Sequence, residues 1–200
     1  PKAEQFAQIC RSVFRGGVRI DFTTNGLLVF DMPDTFWKVL RENKIAIKYT
    51  RYPIKFDYEK MVEYIKQKGV YVFTAGPKDG IKYFRKIPLN VKGTFGMNHS
   101  FLQCPYTNCT QLRDGKLYHC PPAAFSDLLN RKMKETGEEA GEFLLAKEDY
   151  LNLSEIKTRE EVFDFLSNPV PFCQYCDMEN RNEMVPWQTS RRDIREWVDV

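Results

Sequence analysis

Apolar positions along the first third of the chain switch repeatedly between a helical and a strand period. Ala3, Phe6, Ala7, Cys10, Val13 and Phe14 recur at three- and four-residue spacing, which predicts an amphipathic helix closed by Gly16-Gly17. Val18 to Phe22 then alternates with period two, and Thr23-Thr24-Asn25-Gly26 supplies a turn. The unit repeats: Pro33-Asp34 opens a helix with Phe36, Trp37, Val39 and Leu40 on one face, and Ile45 to Tyr49 follows as a strand. In the third copy Asp57 caps a helix carrying Tyr58, Met61, Val62 and Ile65, Gly69 ends it, and Val70 to Thr74 is the strand. Short strands separated by helices predict a parallel sheet with right-handed crossovers, an α/β architecture.

The pattern changes further along. Gly76 to Gly80 is a loop, Ile81 to Leu89 a last strand, and the repeat stops near residue 93, so a domain boundary is expected at about residue 92. Thr110 to His119 predicts a β-hairpin around Asp114-Gly115. Pro121-Pro122 opens a helix to about Lys134. Thr158-Arg159-Glu160-Glu161 has capping-box form ahead of Val162, Phe163, Phe165 and Leu166, and Asn168-Pro169 ends that helix. A final helix is expected over Ser190 to Trp197.

Charge narrows the partners. Thirty Lys and Arg stand against 27 Asp and Glu, a net +3 with both signs interleaved, so no nucleic-acid partner is expected. No apolar run approaches the roughly 20 residues of a spanning helix, and residues 1–15 lack the continuous apolar centre of a signal peptide. The expectation is a cytoplasmic chain with no membrane partner. It opens at Pro1, without Met and already in a helical pattern, which suggests a piece of something longer. Gly76-Pro77-Lys78-Asp79-Gly80 lacks the spacing of a phosphate loop, and neither a Gly-x-Ser-x-Gly elbow nor a His-Glu-x-x-His helix occurs.

Six cysteines without a secretion signal point to thiols in a reducing compartment. Cys10 lies on an apolar helix face and is expected in the core. Cys104-x4-Cys109-x10-Cys120 brackets the hairpin, and Cys173-x2-Cys176 returns later; Cys104-Pro105, Cys120-Pro121 and the Cys-x2-Cys pair all sit in turn-forming sequence. Thiolates so placed suit tetrahedral zinc or an iron-sulfur cluster, with either Cys104 or Cys109 spare in a four-sulfur site. His119 adjoins Cys120, but hairpin alternation puts the two on opposite faces.

These residues resemble the radical S-adenosylmethionine (radical SAM) enzymes that carry a C-terminal auxiliary-cluster domain of the twitch or SPASM type. Arg19 to Leu28 with its Thr-Asn-Gly ending is similar to the third barrel strand, Ile47 to Ile54 to the fourth, and Cys109 to Cys120 with Cys173-x2-Cys176 to the auxiliary domain. The resemblance implies that residues 1–92 are the C-terminal portion of a partial (βα)6 barrel and residues 93–200 a small α+β cluster-binding extension. It also implies an auxiliary [4Fe-4S] cluster on Cys104, Cys109, Cys120, Cys173 and Cys176, less one. S-adenosylmethionine in the full-length parent would meet Thr24, Asn25, Thr50, Arg51 and Thr74 at the strand ends. The family's Cys-x3-Cys-x2-Cys loop and its Gly-Gly-Glu-Pro motif are absent from the sequence, so this chain alone is expected to be inactive in radical chemistry. Its substrate would be a small molecule or peptide, unidentified. An exposed sheet edge would favour association. The alternative is a non-enzymatic module with a structural four-cysteine zinc site and a partner-binding surface.

Overall fold

A computed structural model describes residues 2–14, 16–86, 88–107, 109–137, 141–180 and 184–199. The chain divides into two compact units between Phe84 and Arg85.

The first unit is a βα repeat. Helix α1 (Lys2–Val13) precedes β1 (Asp21–Thr24), α2 (Asp34–Glu42) precedes β2 (Ala46–Tyr49), and α3 (Tyr58–Gln67) precedes β3 (Val72–Thr74). The strands are parallel in the order β1-β2-β3, with Phe22 beside Ile47 and Ile47 beside Val72. Those three side chains pack with the fully buried Trp37, Leu40, Met61 and Ile65 of the helices. Thr23, Lys48 and Phe73 fall on the opposite face by the two-residue period. Asp57 caps α3 as expected, its carboxylate accepting from the Lys60 N–H at 2.9 Å.

Strand β1 starts at Asp21 rather than Val18. Pairing begins where β2 begins, opposite Ala46, and the Arg11 guanidinium takes the Val18 carbonyl at 3.1 Å. Helix α1 forms over its expected range, yet only Ala7 on it is buried; Phe6 and Val13 are 58% and 66% exposed, and Cys10 is half-buried. Among the described residues no strand pairs with the outer edge of β1.

The second unit is assembled from short pieces. The expected strand over Ile81 to Leu89 is two, β4 (Tyr83–Arg85), which spans the division, and β5 (Leu89–Asn90), separated by Pro88, which has no N–H to donate to a ladder; Ile87 lies outside the described residues. Next come α4 (Met97–Gln103), β6 (Gln111–Arg113), β7 (Lys116–Tyr118), α5 (Pro121–Ala124) and α6 (Ser126–Thr136). Strand β8 (Tyr150–Asn152), helix α7 (Arg159–Ser167), and β9 (Met184–Pro186) follow, with β10 (Val198–Asp199) last. Strands β6, β7 and β8 form an antiparallel sheet. Asp114 and Gly115 both have positive φ, 50° and 73°, the turn whose twist matches a two-residue hairpin.

Two expected helices differ. The one after Pro121 breaks at Phe125, and its second part runs to a left-handed Gly137 cap. The tail makes one 3-10 turn, Ile194–Glu196, before β10 pairs in parallel with β5. The Glu196 carboxylate binds the Ser190 hydroxyl and the Arg191 N–H, both at 2.6 Å, and Arg192 has φ 61°. These satisfy the segment's polar groups outside a helix. Leu89, Met133, Phe143, Phe172, Tyr175, Ile194 and Val198 form the unit's core, and the inclusion of Leu89 explains why the unit begins ahead of the boundary expected at residue 92. The architecture is mixed α/β with small, open sheets, and among the described residues no helix is long and apolar enough to cross a membrane.

Candidate functional site

Cysteines converge on the core of the second unit from three separated segments. Cys104 terminates α4, where its N–H donates to the Phe101 carbonyl at 3.1 Å, and its sulfur accepts from the Tyr106 N–H at 3.3 Å. Cys120 sits at the end of the hairpin and immediately precedes Pro121, whose missing N–H costs nothing in the first helical turn. Cys173 and Cys176 lie on and just after a 3-10 turn, Pro171–Tyr175; the Cys176 N–H donates to the Cys173 carbonyl at 3.2 Å. That turn is docked on α4: Phe95 N–H donates to the Gln174 carbonyl at 3.1 Å, and the buried Ser100 hydroxyl to the Cys176 carbonyl at 2.9 Å.

The four sulfurs belong to one neighbourhood. Cys176 is part of the core, and Cys104, Cys120 and Cys173 pack against it. Burial pushes the Cys120 thiol up to about 12, with Cys104, Cys173 and Asp149 adding to the rise. Burial likewise raises Cys173, with help from Cys104, and Cys176, with help from Cys120, Cys173 and Cys104. Every pair among the four is thus within reach of mutual electrostatic repulsion. Cys109 stands apart: it is exposed, and Gln111 donates to its carbonyl. Its charge reaches Tyr106, whose hydroxyl is raised first by burial. No disulfide joins the cysteines. Among the described residues, no three Cys, His, Asp or Glu side chains are already arranged to hold a metal ion. Sulfur donors are the ligand type that zinc and iron-sulfur clusters take.

His119 is buried just past the end of β7, so strand alternation does not set its side relative to Cys120. Its Nε2 meets the Phe165 carbonyl oxygen at 2.5 Å, and its ring packs between Phe101 and Phe165. Burial lowers its pKa.

In the first unit the five positions expected to meet the nucleoside share the C-terminal edge of the parallel sheet. Thr24, Tyr49 and Thr74 are in register, and the Thr50 N–H donates to the Thr24 carbonyl at 3.0 Å. The Thr24 hydroxyl accepts from Gly26 N–H and the Asn25 side chain from Leu27 N–H, so both build the turn. Arg51 donates to Glu59 at 2.7 Å and lies 5.3 Å over the Tyr58 ring. The Thr74 hydroxyl oxygen is buried with no hydrogen-bond partner among the described residues. Arg51 also lines a cleft of about 400 Å³ with Tyr49, Tyr58, Glu59, Val62 and Lys66.

Two contributors escaped the sequence patterns. Ser100 shows no signal, since it is one hydroxyl on a short helix. Asp149 shows none because its partners are main-chain amides, one of them at Phe172. No protein-family model, no curated protein and no solved structure matches this chain.

Proposed function

We propose that residues 85–200 are a module binding an auxiliary [4Fe-4S] cluster through Cys104, Cys120, Cys173 and Cys176. In the same reading, residues 1–84 supply later strands of the partial barrel of a radical SAM enzyme. The observation that carries it is the convergence of these four thiols in one core. Buried thiols that raise one another resist ionising together, and a bound metal centre supplies the positive charge that lets all four become thiolates. When bound, such a cluster supplies one-electron transfer, with a potential set by burial and by hydrogen bonds to sulfur. Cys109 is outside the set.

The parallel sheet supports the other half of the reading. Ligands of parallel α/β folds sit where strand C-termini converge, and there Thr74 offers a buried hydroxyl while Thr24 and Asn25 shape the loop. The Cys-x3-Cys-x2-Cys loop is absent from the sequence, so this chain alone forms no 5′-deoxyadenosine.

The test is iron, zinc and acid-labile sulfide per chain after anaerobic purification, beside a Cys173→Ala, Cys176→Ala variant. About four iron and about four sulfide, lost in the variant, are expected. One zinc per chain would replace this reading with a structural zinc module. No metal after reconstitution would overturn both.

A further inference from the structure

Asp149 is fully buried, at 0% exposure; burial raises its carboxyl above the ordinary 3.8, and the Phe172 and Ala146 N–H groups and nearby His119 act against that rise. One carboxylate oxygen accepts from the Phe172 N–H at 2.6 Å and the other from the Ala146 N–H at 2.7 Å. The Phe172 bond falls where the Pro171–Tyr175 turn needs it. Val170, at the N-cap, has no side-chain acceptor, and Pro171 has no N–H, so Phe172 is the first orphan donor of the turn. A carboxylate 23 residues away closes it. Cys173 is the next residue, its N–H donating to the Val170 carbonyl at 2.9 Å, and the Cys176 N–H bonds back to Cys173. The acid that fixes this turn therefore fixes the segment presenting two of the four sulfurs.

We propose that Asp149 is the positioning residue of the four-cysteine site: it locks the turn that presents Cys173 and Cys176. This rests on the cluster-binding reading above. Outer-sphere groups of this kind typically change metal affinity by about 10- to 100-fold when replaced. Asp149→Asn keeps the shape, removes the charge and forfeits one of the two acceptors.

The experiment uses the full chain with and without reconstituted iron and sulfide. In the loaded form, Asp149→Asn is expected to keep its iron and release it to a chelator about tenfold faster. In the metal-free form, alkylation of Cys173 and Cys176 is expected to speed up while that of Cys109 stays the same. Unchanged release and alkylation would overturn the proposal. Should the variant fail to fold, exchange of the Phe172 amide in the wild-type chain decides: slow exchange supports the carboxylate bond, and exchange at the rate of an open loop overturns it. A wild-type chain that binds neither iron nor zinc overturns the proposed function instead, and the alkylation arm still decides whether Asp149 holds the turn.

Discussion

Ser100 donates its hydroxyl to the Cys176 carbonyl oxygen at 2.9 Å, joining the helix that ends at Cys104 to the turn that carries Cys173. Both groups are shielded from water, with Ser100 only 2% exposed and Cys176 8%. Removing the hydroxyl leaves a buried carbonyl without this donor. Ser100→Ala is therefore expected to lower stability by about 1–3 kcal/mol in chemical denaturation. Loss of no more than a few tenths would mean that water replaces the donor.

The sulfur set makes a second prediction. Cys104 raises the thiols of Cys120, Cys173 and Cys176, whereas Cys109 is exposed and contributes to none of them. Cys104→Ser should abolish metal binding in anaerobic reconstitution, and Cys109→Ser should leave metal content unchanged. The reverse pattern would move the fourth ligand to Cys109.

How much of this was legible in the residues follows from how local each signal is. Asp57 and Thr158 cap their helices as their positions imply, and Asp114-Gly115 turns the hairpin, because each depends on bonds within a few residues. The βα alternation likewise announced a parallel sheet, since its apolar periods record which face each element buries. Non-local bonds escaped. The start of β1 depends on Ala46 and Arg11, and the tail unwinds because Val198 pairs with Leu89. The five candidate cysteines stood out by spacing, but that Cys104 packs against the core with Cys120, Cys173 and Cys176 while Cys109 is exposed shows only in the folded chain. Asp149 has the same difficulty: nothing near it in sequence announces a bond to Phe172.

Gly26 ends the Thr-Asn-Gly segment with φ +84°, and a Cβ there would overlap the Met61 sulfur. Met61 is fully buried under the sheet, so its side chain has little room to yield. Gly26→Ala is expected to cost about 1–3 kcal/mol from left-handed strain and overpacking together. Thermal unfolding of the variant measures it, and a Tm equal to that of the wild type would show that Met61 repacks freely.

Arg113 on the hairpin grips Asp127 on α6 with two nitrogens, Nη1 and Nη2, at 2.5 and 2.9 Å, and also donates to the Ala124 carbonyl at 2.5 Å. The hydrogen bond from Arg113 holds the Asp127 carboxyl below its ordinary 3.8. A depressed pKa in the folded state means that the unfolded chain takes up the proton first as pH falls. The stabilisation is therefore complete above about pH 4 and drains away as pH drops from 3.8 through the lower folded value. Solvent exposure keeps it to at most about 1 kcal/mol. Asp127→Asn should match the acid-weakened protein, with lower stability at neutral pH and a shallower loss below pH 4 in urea unfolding followed against pH. Parallel curves for the two proteins would show that this ion pair does not contribute to acid sensitivity.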